Sequence, residues 1–209
     1  MRLTDGGQVS TAPLVLALDK RATFTVADRK AQYDAAERIK ALFARMSTLN
    51  AELQTVKAQA TEAADKPGAN AAQAKAVAAK ADMLRKLLVA TKEGGAITGE
   101  ERLREHMDQA YAAVTATEQR PTPYAMAYID ALERELAEVE GQYAALAAGD
   151  VAKLSAALEA HGLEGIDLAD YELDEDDARG GPVSALAAGL VGLHFTGKAT
   201  DLMETGEKD

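Results

Sequence analysis

The chain has 209 residues, of which 47% are apolar and only 4% aromatic, and its formal net charge is −11 at pH 7. It has no cysteine, which excludes disulfides and thiolate chemistry. Residues 164–209 hold twelve acids and three bases, so the rest of the chain is nearly neutral and has no basic stripe of the kind that tracks nucleic-acid phosphates.

The first residues predict a β-hairpin. Residues 1–4 and 8–18 alternate or run apolar around Asp5-Gly6-Gly7, a turn signal between two strands. Pro13 suits an edge strand or a bulge. A lone hairpin of this size is marginal in water, so we expect these strands to pair with something else or to belong to a larger sheet.

A long helix is predicted next. Thr25 is its expected N-cap, and Asp65-Lys66-Pro67-Gly68 ends it after about Ala64. Its apolar residues follow the 3/4 spacing of a heptad seam: Ile39, Leu42, Met46, Leu49, Leu53, Val56 and Ala60.

Two shorter helices follow. Asn70 begins one of them, with Gly94-Gly95 as its expected stop. A capping box at Thr98-Gly99-Glu100-Glu101 is expected to begin the other. The predicted stripes are Ala74, Val77, Ala81, Leu84 and Leu88 in the former, and Leu103, Met107, Ala110 and Val114 in the latter.

The last predicted helix begins with Thr122 as N-cap and Pro123 at its first position. We expect Gly149-Asp150 to kink this helix, which then continues to His161-Gly162. Its stripe is Ile129, Leu132, Leu136, Val139, Tyr143 and Leu146, followed by Val151, Leu154 and Leu158.

Together these patterns predict a mainly α fold. It is an antiparallel bundle of about four helices, preceded by a short β-hairpin and followed by an extended acidic and apolar tail. A long coiled-coil hairpin with the short pair packed along it is the alternative. The expected units are 1–24, 25–162 and 163–209. No signal peptide is recognised, and the longest apolar stretch, 182–195, is too short to span a bilayer of ~30 Å.

Two stretches resemble a known family. They are RLTDGGQVSTAPLVLALDKRATFTVADRKAQYDAAERIKALFARM and QRPTPYAMAYIDALERELAEVEGQYAALAAGDVAKLSAALEAHGLEGI. Over residues 2–166 the chain is similar to the C-terminal helical module, with the end of the preceding β-sandwich, of bacterial sortilin-type proteins with BNR-like repeats, often labelled glycosyl hydrolases. The junction 14–28 is the most specific part, although the usual Asp-Pro-Arg is Asp19-Lys20-Arg21 here.

The resemblance implies that the first eighteen residues correspond to the last strands of a sandwich. The family's propeller has no counterpart in this sequence, so no catalytic residue carries over. Relatives of this type are exported, which implies a periplasmic or extracellular location. The sequence itself leaves a cytoplasmic location open.

Candidate catalytic and metal-binding groups favour structural interpretations. His106, His161 and His194 lack the spacing of zinc or di-iron ligands. Glu133, Glu135, Glu138 and Glu140 are interpreted as a solvated helix face rather than glycosidase carboxylates. The acidic run 170–177 lacks the glycine of a calcium-binding EF-hand loop. We therefore expect no enzyme activity, no cofactor and no metal.

The two ends of the chain are the candidate binding segments, because apolar residues on charged or orphan segments need a cover. The residues expected to bind a partner are Leu14, Val15, Leu16, Leu186, Leu190, Val191, Leu193 and Phe195. Our hypothesis is a non-enzymatic structural or adaptor subunit that docks onto a larger assembly of proteins, with a membrane-embedded partner as one option. The alternatives are an accessory module of a secreted hydrolase-like propeller protein and a ligand- or metal-binding bundle.

Overall fold

A computed structural model describes residues 1–15, 17, 19–91 and 100–169. It is mainly helical and begins with a two-stranded antiparallel hairpin, which confirms the predicted fold class. The strands are β1 (Arg2–Asp5) and β2 (Gln8–Thr11). The helices are α1 (Val26–Ala64), α2 (Ala71–Leu88), α3 (Leu103–Thr115), α4 (Pro123–Leu146) and α5 (Ala152–Ala160).

Three helix starts agree with the sequence. The Thr25 hydroxyl accepts a hydrogen bond from the Asp28 backbone N–H, and the Asp28 carboxylate accepts one from the Thr25 N–H, which completes a capping box for α1. The Asn70 and Thr122 side chains cap α2 and α4 by accepting from the backbone N–H groups of Gln73 and Ala125, with Pro123 at the first helical position of α4. Each cap satisfies N–H groups that have no partner inside the helix.

Two helix boundaries differ from the prediction. Helix α2 ends at Leu88, before the Gly94-Gly95 pair, which lies outside the described residues. Val89 instead takes an extended conformation (φ −131°, ψ 145°) and is buried. Helix α3 begins at Leu103 rather than after Thr98, because the Glu105 carboxylate accepts a hydrogen bond of 2.8 Å from the Arg102 N–H.

The last helix continues through a π-helical turn at Ala147–Val151, which confirms that it continues past Gly149-Asp150; the kink stays a prediction. The buried stripe of α4 reaches Leu146 and resumes at Val151, a step of five residues. A π turn holds one more residue than an α turn, so it absorbs the wider step. Leu154 and Leu158 therefore stay on the buried side of α5.

The helices form three columns. Helix α2 runs antiparallel to the second half of α1, and Lys57 pairs with Asp82 across them at 2.6 Å. Helix α3 follows α2 along the first half of α1, where the Gln32 amide donates a hydrogen bond of 2.8 Å to the Val114 carbonyl. The two short helices thus form one column in series.

The third column runs parallel to α1, because α2 and α3 run in the same direction as a single column and successive columns are antiparallel. Arg38 pairs with Asp130 at 2.7 Å and Arg45 pairs with Glu140 at 2.6 Å, so positions rise together along α1 and α4. With α1 and α4 parallel, the alternative of a long coiled-coil hairpin does not describe this arrangement. The column is extended by α5.

The predicted stripes form the core, except that Tyr143 is only half-buried. After α5 the chain folds back, and Leu163, Ile166 and Leu168 pack against this core. Asp167 is fixed to α1 because its N–H and carbonyl both hydrogen-bond to the Gln59 side chain. The largest fully buried side chains are Ile39, Leu42, Met46, Leu53, Leu88, Leu103, Met107, Ile129, Leu132, Leu136, Leu154 and Leu158.

Candidate docking site

The hairpin is built by its turn. Gly6 and Gly7 have φ values of +48° and +83°, which fit the two central positions of a type I′ turn. This turn sets Leu3 opposite Ser10 and Thr4 opposite Val9. Neither face of the hairpin is continuously apolar, because each mixes polar and apolar side chains.

None of the first fifteen residues is buried, and none is even half-buried. Leu3 is 68% exposed and Val9 is 47% exposed. The hairpin therefore lacks the buried apolar face that stabilises small sheets. Among the described residues the sheet consists of β1 and β2 alone, so each strand keeps one edge without a backbone partner. Such an edge can take another strand.

The predicted partner-binding residues fall into two groups. Leu14 and Val15 directly follow the hairpin and are 62% and 84% exposed. They are accessible to a partner and have no cover from the described part of the bundle. The other predicted residues lie outside the described residues: Leu16, Leu186, Leu190, Val191, Leu193 and Phe195.

The positions of the histidines among the described residues fit structural roles. His106 is half-buried, and its Nε2 lies 3.7 Å from a Glu101 carboxylate oxygen. His161 is the C-cap of α5. Over the described ranges, no group of three or more histidine and acidic side chains is arranged to hold a metal ion.

The glutamates of α4 divide into two pairs. Glu133 and Glu140 accept from arginines of α1 and join the two parallel helices. Glu135 and Glu138 are exposed to solvent. The first pair contributes to packing between columns rather than lying only on a solvated face.

A groove of about 390 Å³ lies between α1 and α4. Within it, Tyr143 hydrogen-bonds to Glu52. Burial raises the pKa of Tyr143 to about 12, with a further contribution from Glu52, and burial also raises the pKa of Glu52. Both shifts favour the neutral forms, so this pair is suited to packing rather than to holding charge. The lining residues are Ala44, Arg45, Thr48, Leu49, Glu52, Glu140 and Tyr143.

A second cavity, of about 410 Å³, lies between α3 and the start of α4. Tyr124 and Tyr128 border it with stacked rings whose centroids are 6.5 Å apart. Arg120 also lines it, but its Nε already donates to Asp28 at 3.0 Å. The cavity thus presents aromatic surface, while the Arg120 guanidinium is bonded to Asp28 in the capping box of α1.

The sequence analysis missed one exposed apolar surface. Besides its buried stripe, α2 carries a second row of apolar residues on its outer face, called the outer stripe below. Its signal was a second run of 3/4 spacing, offset from the buried one. The outer stripe is Ala72, Ala76, Ala79, Met83 and Leu87.

No helix in the part of the chain that the structure describes is both long and apolar enough to cross a bilayer. Comparison of the chain with known protein families, with characterised proteins and with solved structures found no match.

Proposed function

We propose that this chain is a non-enzymatic structural or adaptor subunit that docks onto a larger protein assembly through its terminal segments. The observation that carries the proposal is the exposure of the whole N-terminal segment, with Leu14 and Val15 at 62% and 84%. A hairpin that buries nothing against the described bundle gains its stability when another surface covers it.

The mode of docking that fits this segment is strand addition. The free edges of β1 and β2 offer backbone N–H and C=O groups to a strand of the partner. Leu14 and Val15 would then supply side-chain contacts, one on each side of the extended chain. The partner is accordingly a protein with an open sheet edge and an apolar surface beside it.

The C-terminal contribution rests on sequence. Leu186, Leu190, Val191, Leu193 and Phe195 belong to an apolar stretch on an acidic segment. Such a stretch needs a cover, and a partner protein in or near a membrane would provide one. The resemblance to the helical module of sortilin-type proteins supports a periplasmic or extracellular location for this assembly.

The second candidate function is that of an accessory module in a secreted propeller protein. The same open edges of the hairpin favour it, because a neighbouring domain of one polypeptide could pair with them just as a separate protein could. The two candidates differ in whether the paired strand belongs to this polypeptide or to another one.

The test is affinity purification of the intact chain from its native cells in mild detergent. The variant Leu14→Asp/Val15→Asp and a deletion of residues 182–209 are compared with the matched control Tyr124→Ser, which alters a side chain that is 80% exposed on the bundle. We expect a stoichiometric partner with the intact chain and the control. The partner should be lost with either altered end.

A chain that elutes alone and monomeric contradicts the adaptor function. A partner that all four forms retain contradicts docking through the ends. Recovery of the hairpin as part of a longer polypeptide, with its edge paired in that polypeptide, would favour the accessory module instead.

A further inference from the structure

Helix α2 is apolar on two opposite faces. Ala74, Val77, Ala81, Leu84 and Leu88 are buried against the bundle. The outer stripe lies on the other side, and its two large members, Met83 and Leu87, are 61% and 43% exposed. The stripe extends about 22 Å at 1.5 Å per residue. Over the described ranges, nothing packs on it.

Basic residues border the outer stripe. Lys75, Lys80 and Lys86 are exposed on its two sides, where Lys80 pairs with Asp150 and Lys86 pairs with Asp82. With Arg85 and a single acid, Asp82, α2 carries a net charge of +3 in a chain whose total is −11. A surface of this kind fits an occupant that is both apolar and acidic. A second copy of α2 fits poorly, because it would bring lysines together.

The chain itself contains such an occupant. Residues 170–177 include six acids and no base, and the apolar stretch 182–195 follows them. The described chain leads towards this segment from Asp167, which the Gln59 side chain fixes near the C-terminal end of α1. Helix α2 begins at the same end of the bundle, where Gly68 lies against His161.

The chain after Asp167 is long enough to reach the outer stripe of α2. Neighbouring helix axes lie 8–10 Å apart, so the path from α1 around to the outer face of α2 is on the order of 25 Å. Residues 170–181 can reach roughly 40 Å when extended. The order along the chain also fits, because the acidic residues come first, at the end of α2 that holds Lys75, and the apolar ones follow.

We propose that residues 170–195 of this chain cover the outer stripe of α2, with the acidic part beside Lys75 and the apolar part on Met83 and Leu87. This inference goes beyond the proposed function and does not rest on it. In the free protein the contact shields the apolar residues, and a docking partner would compete for them.

Because the chain has no cysteine, engineered cysteines are unique probes. One full-length variant carries Ala79→Cys and Ala188→Cys. The matched control carries Ala137→Cys, at an exposed alanine of α4, together with Ala188→Cys. Closure of the intramolecular disulfide is followed at low protein concentration, by mobility without reductant and by peptide mass. We expect closure at least about tenfold faster in the Ala79 variant, because docking raises the effective concentration of the second thiol.

Two further changes test the chemistry of the contact. Adding Lys75→Glu, or separately Met83→Ser, to the Ala79→Cys/Ala188→Cys variant should slow closure towards the rate of the control. Far-ultraviolet circular dichroism verifies that each variant keeps its helices. Both residues are exposed, so we expect their substitution to leave the fold intact.

Equal closure rates in the Ala79 and Ala137 variants would overturn the proposal. A disulfide that forms chiefly between two chains would also overturn it, since the occupant would then be a second copy. The purified chain alone is the sample, so this result is independent of whether a partner is captured from cells.

Discussion

At the scale of residues, we expect the buried leucines to determine stability and the single leucine of the hairpin to contribute little. Leu53 is fully buried in α1, whereas Leu3 is 68% exposed. Leu53→Ala should lower the free energy of unfolding by about 2–5 kcal/mol, because it removes buried methyl groups and leaves a cavity.

The matched change Leu3→Ala should alter that free energy by less than about 0.5 kcal/mol. Chemical denaturation followed by circular dichroism measures both variants. Equal losses would mean that the hairpin is packed on the bundle, contrary to its exposure.

Tyr143 should respond to alkaline pH. Burial raises its pKa to about 12 in the folded chain, above the usual value of ~10. The neutral phenol is therefore favoured by folding, and its contribution to stability is lost as pH rises from about 10 through 12. Tyr143→Phe should remove this part of the alkaline decline in stability.

Ultraviolet absorbance of tyrosinate gives the titration, as the difference between the native chain and Tyr143→Phe. The midpoint should lie near 12 and should fall in Glu52→Gln, because the Glu52 carboxylate contributes to the shift. A midpoint near 10 would contradict the burial of this ring.

At the scale of elements, the π turn compensates for one residue. It allows a step of five residues between Leu146 and Val151 without rotating Leu154 and Leu158 out of the core. Deletion of Gly149 would restore the ordinary step of four. We expect this variant to keep the fold and to gain regular helical backbone.

The control deletes Ala137, an exposed residue in the middle of α4. It rotates every following apolar residue by ~100° relative to the core, so it should lower the melting temperature strongly. Thermal unfolding compares the two. If both deletions destabilise the chain equally, the π turn has a role other than register.

The elements were also the part of the structure that sequence predicted best. Apolar spacing and capping residues identified α1, α4 and the continuation into α5, because both signals depend on neighbours within a turn or two. The predicted start of α3 was wrong because Glu105 and Thr98 belong to competing capping boxes, and only packing decides which of the two forms. The outer stripe was missed because its alanines resemble ordinary helix-forming residues rather than a surface.

At the scale of the whole molecule, helix direction could not be predicted. A stripe identifies which residues are buried, but not which helix covers them. The 18 residues of α2 and the 13 of α3 together approach the 39 residues of α1, and this allows the two to lie in series and α4 to return parallel to α1. The candidate docking residues stay a prediction, since Leu14 and Val15 are exposed and the other predicted residues lie outside the described ranges.

The parallel arrangement predicts two spin-label distances. Labels at Ala27→Cys and Ala127→Cys should lie close, because the N-terminal ends of α1 and α4 are adjacent. Replacing the second site with Ala145→Cys moves that label about 27 Å along the axis at 1.5 Å per residue. Pulsed electron paramagnetic resonance should therefore give the longer distance for the second pair of labels. The opposite order would mean that α1 and α4 are antiparallel.

Three columns are an odd number of passes, and this has a geometric consequence. The chain enters the bundle at Thr25 and is held near its opposite end at Asp167, beside Gln59. These points are separated by about 50 Å of α1 at 1.5 Å per residue. The length of the bundle therefore sets the distance between the points where the chain enters and leaves it. Lengthening every column by seven residues would move these two points apart by about 10 Å.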